Sequence, residues 1–532
     1  VINLARIKQF GIFTVVVLLL LCVRLGYLSA IKGEALSKQA VLQRTDSIPI
    51  KTARGIIYDR QMRAITEGRC RLHAAVIVQE CVNPDEVSRL IGQKITKDDI
   101  EIFPLQAVTE QQARLVKMRG VMLFNVSERY NQDGLLSHVI GYKSDDGGFG
   151  IEYAFDKELT IEQSDSISMI KNANSKMMTG LGYNRTSKKN YNGIRLSIDY
   201  HVQAIVEKAL DNNMENGAAV VVEVETGDIL AMASRPNFLQ SQLAKYLTSS
   251  RGELINRAVS EYDLGSVFKV VLAAAALEEG IYNPQSQFRC GGALDVSGRE
   301  FVCNNKDGHG VLSLELGLAH SCNVVFYKIG QDLGINKINE YAKKLGFDQK
   351  ILNIEGFGEK KGYIPSDIEN MPQEIANISI GQGKIKVTPL QVADMFCTIA
   401  NGGIRKSLTL TDGIVDQNGN YTQTKTKGTK RVISAQTAAA LRKMLRTAVK
   451  EGTGTNAQIE GWGAAGKTGS AQSGWEKDGE LMTHGWFGGY FPEENPKYVC
   501  VVLAENGKSG AASAAPVFRE IGEGIKKLYP EA

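Results

Sequence analysis

The longest apolar run in the chain lies near its N-terminus. Phe10 to Val23 carries no charge, Arg24 interrupts, and Leu25 to Ile31 continues the pattern. This stretch of about 22 residues is long enough to cross a bilayer core as a helix. Arg6 and Lys8 precede it, which predicts that residues 1–9 stay in the cytoplasm and the remaining chain lies outside. Arg24, near the outer end, can snorkel to the headgroups. A cleaved signal peptide is the alternative reading, for which Leu28-Ser29-Ala30 is a poor cleavage site.

After the anchor at 10–31, residues 32–190 form a mixed, polar segment that predicts a separate N-terminal domain. A β-branched cluster around Val76-Ile77-Val78 reads as a strand. Residues 171–192, rich in Asn, Ser, Lys and Gly, read as a loop or domain junction. From Gly193 the pattern sharpens into a second domain, 191–532. Ile194–Ile198 predicts a strand and Tyr200–Asn212 a helix. Gly217–Glu223 and Ile229–Ala233 predict two strands around a Glu225-Thr226-Gly227-Asp228 turn. His484–Tyr490 and Tyr498–Ala504 are again strand-like, and Val517–Leu528 is amphipathic at helical period. Early and late strands with helices between them predict an α+β domain built on one sheet.

Composition adds limits. The 532 residues carry a net charge of +4 and show no Lys/Arg block, so nucleic-acid binding has no support. Of the eight cysteines, Cys397 and Cys500 sit in apolar runs and read as core thiols. Cys22 lies in the anchor, and Cys70 and Cys81 show no metal spacing.

Three short motifs occur in order: Ser266-Val267-Phe268-Lys269, Ser321-Cys322-Asn323, and Lys467-Thr468-Gly469 followed by Ser470. Two other Ser-x-x-Lys occurrences, Ser29…Lys32 and Ser168…Lys171, lack a comparable context. Gly265 and the apolar run Val267–Leu277, stopped by Gly280, place Ser266 at a helix N-terminus. There, backbone N–H groups and the helix dipole favour developing negative charge. Lys269 is one turn along, so its amine can reach the Ser266 hydroxyl.

Each residue type has a chemical use. A serine hydroxyl needs a base in contact, and Lys269 can serve if its pKa is depressed. Lys467 is a second cation that can also attract a peptide's terminal carboxylate. Ser321 can relay a proton to a leaving amine. Asn323 can hydrogen-bond a substrate amide. Gly469 opens its strand to an extended peptide. The backbone N–H groups of Ser266 and Ser470 are the expected oxyanion donors.

The motif set resembles that of class B penicillin-binding proteins, monofunctional peptidoglycan D,D-transpeptidases. Cys322 stands where the middle Asp is usual. Arg54 to Arg60 resembles the family's Arg-Gly segment, with Gln61-Met62 where Asn-Gly is usual. Arg129-Tyr130, His138 to Tyr142 and Gly150-Ile151-Glu152 resemble the rest of the N-terminal pedestal or dimerisation domain. Gly381-Gln382-Gly383, Thr388 to Gln391, Ala400 to Gly403 and Trp486 to Tyr490 resemble segments flanking the third motif. The resemblance implies a transpeptidase domain of penicillin-binding and β-lactamase-like fold, an antiparallel sheet with helices. It implies attack of Ser266 on the D-Ala-D-Ala bond of a stem peptide, release of D-Ala, resolution by a neighbouring amine, and trapping by β-lactams. No Glu-Asp-x-x-Phe segment of a glycosyltransferase is present, so the implied polymerising partner is a polytopic membrane enzyme.

Cys290, Cys303 and His309 lie between the first two motifs, and Cys322 lies within the second. Four such donors suit tetrahedral zinc, and some elongation-type members of the family carry zinc beside this motif. Asp307 is a reserve ligand. A Cys290–Cys303 disulfide or free thiols are the alternatives. The acyl transfer itself requires no cofactor. Two other functions compete with the transpeptidase. A β-lactamase or β-lactam sensor would share the motifs, and a catalytically silent scaffold would keep a vestigial cleft.

Overall fold

The computed structural model describes residues 4–51, 54–96, 100–105, 109–161, 165–170, 183–186, 192–368, 371–423, 428–477 and 480–531. Within the expected junction at 171–192, the described residues include a strand, Tyr183–Thr186; most of the rest lies outside the described residues. The chain divides into two compact units. One comprises Val1–Arg54, Cys70–Ser127 and Thr160–Lys189; the other comprises Gly55–Arg69, Glu128–Leu159 and Asn190–Ala532. The segments at 55–69 and 128–159 are thus part of the larger unit despite their early position in the chain.

In the smaller unit, the apolar run forms one continuous helix, Leu4–Ala30, with a mean hydropathy of 2.3 over its most apolar window. None of its residues is buried, and it is long and apolar enough to cross a membrane once. The strand expected around Val76-Ile77-Val78 runs Arg69–Ile77 and stops there; Val78–Glu80 is a 3-10 turn. That strand is the middle of three, between Ile100–Pro104 and Val121–Glu128.

The larger unit is built on a five-stranded antiparallel sheet of β1 (Gly217–Glu223), β2 (Ile229–Arg235), β3 (Ala465–Lys477), β4 (Glu480–Phe491) and β5 (Tyr498–Ala504). Its spatial order is β2-β1-β5-β4-β3. Side chains of β1 alternate between two cores, as a pleated strand requires. Val220 and Val222 join one cluster, and Ala219 and Val221 the other. Its longer helices are α1 (Tyr200–Asn213), α2 (Lys269–Glu278), α3 (Asn323–Lys344), α4 (Pro389–Ala400), α5 (Ala435–Lys450) and α6 (Ala515–Leu528). Apolar residues of α1 and α6 fill the core on one face of the sheet. Those of α2, α3 and α4 fill the core on the other. Asp199 caps α1 by accepting from His201 N and Val202 N, and Thr388 closes a capping box with Gln391 at α4.

The turn at Gln61-Met62 keeps a glycine-like shape without glycine. Met62 has φ +63°, and Asp59 Oδ1 accepts from Gln61 N at 2.9 Å and Arg63 N at 2.7 Å.

Candidate active site

The start of the nucleophile helix differs from the expected single α-helix. Gly265–Phe268 forms a 3-10 turn, and α2 begins only at Lys269. Gly265 sets this turn, with φ +63°, a conformation open to glycine at little cost. A Cβ there would also lie 2.5 Å from Ser470 O. The residue before the nucleophile therefore rests its main chain directly on that of Ser470, just after the third motif. Gly265 N donates to Gly381 O at 2.9 Å, closing the turn from the other side.

Ser266 is half-buried and lines an open groove with Ser321, Asn323, Thr468, Gly469 and Ser470. The structure thus brings residues from all three motifs together across 200 positions of sequence. Asn304, Gln382, Thr453 and Ser509 share the lining.

Lys269 is fully buried. Its amine donates to Ser321 O at 2.7 Å, to Ser321 Oγ at 3.2 Å and to Asn323 Oδ1 at 2.7 Å. The expected Lys269–Ser266 hydrogen bond is not formed; among the described residues the Ser266 hydroxyl makes none. A buried amine must satisfy its donors, and the second motif supplies the acceptors. Burial pushes Lys269 down to about 7. Ser321 adopts φ +58°, a strained backbone for a non-glycine residue, and its hydroxyl meets the amine.

Lys467 is fully buried beneath the groove. Its amine donates to Thr468 O at 3.0 Å, Thr468 Oγ1 at 3.4 Å and Thr453 Oγ1 at 3.5 Å. Burial, and then the charge of Lys269, hold it well below the ordinary lysine range. Lys467 therefore acts on the groove from behind two threonine hydroxyls rather than as a wall residue. Gly469 lines the groove, and its smallness has a second use. A Cβ there would meet Leu264 O at 2.7 Å and Val267 Cγ2 at 2.9 Å, so glycine lets β3 approach the nucleophile turn. The position of β3 at the edge of the sheet leaves its outer side unpaired.

Beside the groove, Cys290, Cys303, His309 and Cys322 bring their donor atoms within 4.8 Å of one another. Cys303 Sγ lies 3.8 Å from Cys322 Sγ and 3.6 Å from His309 Nδ1; Cys290 Sγ is also 3.6 Å from His309 Nδ1. Thiolates about 2.3 Å from a tetrahedral ion lie about 3.8 Å from each other, so the spacing fits a metal. Cys290, Cys303 and Cys322 are free thiols, and no Cys290–Cys303 disulfide is present. Asp307 is not part of the group. Cys322 points into the cluster while Ser321 and Asn323, its neighbours, reach Lys269.

Sequence reading gave no role to Thr453, Asn304 or Ser509. The one signal available was Gly452-Thr453-Gly454, a small-residue turn after α5 and before the third motif. A Cβ on Gly452 would strike Ala319 O, and Thr453 N donates to that same oxygen at 3.1 Å.

Residues 217–523 match the family described as penicillin binding protein transpeptidase domain. Stage V sporulation protein D of Bacillus subtilis is 30% identical over 98% of this chain and 84% of its own length. The peptidoglycan D,D-transpeptidase FtsI of Escherichia coli K12 is 27% identical over 78% of this chain and 70% of its own. A solved structure described as "Structural coordination of polymerization and crosslinking by a peptidoglycan synthase complex" aligns with a TM-score of 0.74 and 25% identity, covering 98% of both chains. With three motifs meeting in one groove and a match that spans the whole larger sheet, the chain belongs to the penicillin-binding protein transpeptidase family, as a class B member.

Proposed function

We propose that this chain cross-links peptidoglycan stem peptides by D,D-transpeptidation through an acyl-enzyme on Ser266. The observation that carries the reading is Lys269: a buried amine near neutral pKa, one turn from Ser266 and bonded to the groove residues Ser321 and Asn323. Ser266 Oγ attacks the carbonyl carbon of the penultimate D-Ala as its proton passes to Lys269. Ser321, 3.2 Å from that amine, passes its proton to the departing nitrogen and regains one from Lys269, and D-Ala leaves. An amine from a second stem then attacks the ester and restores the Ser266 hydroxyl. Ser266 N–H and Ser470 N–H hold the oxyanion. Asn323 orients the donor peptide, which extends β3 by pairing with its free edge. β-Lactams stop at the acyl stage.

Cys290, Cys303, His309 and Cys322 would hold zinc, which supplies a structural cross-link and no step of the acyl transfer. The cross-link fixes the segment that presents Ser321 and Asn323. The Leu4–Ala30 helix anchors the chain in the membrane, with the catalytic unit outside the cytoplasm. The likeness to a member of a peptidoglycan synthase complex supports a membrane-embedded glycan polymerase as partner.

The test is labelling with a fluorescent penicillin followed by mass spectrometry of the adduct. Labelling at Ser266, lost in Ser266→Ala, is the expected result. Label retained by that variant would overturn the reading.

A further inference from the structure

We propose that Tyr327 is a positioning residue for the second motif: its hydroxyl holds the Val302 carbonyl in the place from which that carbonyl orients the Asn323 carboxamide. This rests on the transpeptidase reading above and adds to it a residue outside all three motifs.

Val302 ends a small hairpin, Ala293–Val296 paired with Arg299–Val302. Cys303 N donates to Gly292 O at 2.8 Å. That bond makes Ala293 and Val302 a non-hydrogen-bonded pair, so the Val302 carbonyl turns away from its own ladder. It accepts instead from two side chains of α3: Asn323 Nδ2 at 3.3 Å and Tyr327 Oη at 3.2 Å. Residues 323 and 327 share one face of the helix, a turn apart. A carbonyl oxygen has two lone pairs and can receive both donors.

The orientation of the Asn323 amide follows from its neighbours. Val302 O can only accept, so the NH2 faces it. Oδ1 is then left for the Lys269 amine, which donates to it at 2.7 Å. Reversing the amide would set oxygen against oxygen. One N–H of Asn323 remains, and Asn323 lines the groove, so that hydrogen is available to a carbonyl of the ligand. The arrangement depends on where Val302 O lies. The Val302 side chain is exposed, so its carbonyl is held from behind by Tyr327 rather than by packing of its own side chain. Tyr327 is buried and its ring meets Phe301 edge-on at 5.4 Å. Its O–H must therefore find a partner inside the protein, and Val302 O is that partner.

The test compares acylation of the full chain by two penicillins, read by intact-mass spectrometry at timed intervals. Benzylpenicillin offers a side-chain amide carbonyl; aminopenicillanic acid, the same nucleus with a free amine, has none. Tyr327→Phe keeps the ring and removes only the hydroxyl. It should slow benzylpenicillin about fivefold, the scale of one neutral hydrogen bond. The aminopenicillanic acid rate should stay unchanged, because Lys269 keeps its bonds to Ser321, and it doubles as a fold control. In an Asn323→Ala background the same substitution should leave the ratio of the two rates where it was, since the residue it acts through is gone. Equal loss with both probes, an unchanged ratio in Tyr327→Phe, or a ratio that still shifts without Asn323 overturns the inference and leaves the Ser266 acyl-enzyme intact. Acylation persisting in Ser266→Ala overturns the underlying reading instead.

Discussion

The amine of Lys269 lies 2.7 Å from Asn323 Oδ1, which joins the proposed base to the second motif rather than to the nucleophile three positions before it. The neutral side chain at 323 matters. A carboxamide accepts a hydrogen bond from the amine without adding a charge that would keep it protonated. Asn323→Asp should raise the Lys269 pKa through the new carboxylate. The acylation rate at pH 7 should fall about fivefold and recover at higher pH, as a rise of about one pKa unit from near 7 implies. A pH–rate profile with a fluorescent penicillin checks this; a profile unmoved from wild type would separate Lys269 from the base role.

In the wild type the same logic sets the sign of the pH dependence. The free amine is the base, and Lys269 is pushed down to about 7 by burial. Acylation should therefore climb from pH 5.5 to 8 with a midpoint near 7. A rate already at its plateau at pH 5.5 contradicts the assignment.

The Cys290–Cys303–His309–Cys322 group predicts one zinc per chain by native mass spectrometry. Cys322→Ser and His309→Ala should each lose the metal and lower the melting temperature by roughly 5 °C or more. Ser266 labelling should weaken in both, because the same segment presents Ser321. Full metal content in both variants would move the site elsewhere.

Gly381 has φ +72°, and a Cβ on it would collide with Gly265 O. Gly381→Ala should cost about 2–4 kcal/mol of stability, from backbone strain and overpacking together. Denaturant titration reads the loss. A change below the error of that measurement would show that the contact relaxes freely.

Met62 offers the converse. Its φ of +63° costs a side chain about 1 kcal/mol, and Asp59 already holds the turn. Met62→Gly should raise stability by a fraction of that amount up to about 1 kcal/mol, since glycine's added freedom in the unfolded chain offsets part of the gain. A destabilised variant would mean that the Met62 side chain contributes more through packing than its backbone loses.

Much of the architecture was legible because period-two and helical patterns are local. β1 and β5 run over the residues the sequence predicted, and α1 extends only one residue further. The motifs were legible because chemistry restricts residue types. What escaped was the set of relationships made by folding. Nothing in Lys467-Thr468-Gly469 announces that the lysine lies under the groove or that the glycine faces Leu264. Thr453 escaped because a lone threonine in a small-residue turn has no pattern; only its 2.6 Å approach to Thr468 marks it. The Lys269–Ser266 contact was expected from one-turn spacing, yet the amine turned to Ser321 and Asn323, acceptors 52 and 54 positions away.

Where Gly265 meets Ser470 and Gly381, the nucleophile turn is clamped by main chain against main chain. Its geometry is consequently indifferent to the identity of most side chains around it. Replacements at Asn304, Gln382 or Ala511 on the groove wall can reshape which molecules reach Ser266 while its reactivity stays put. Recognition and reactivity are thereby separable properties in this enzyme, free to diverge along different positions.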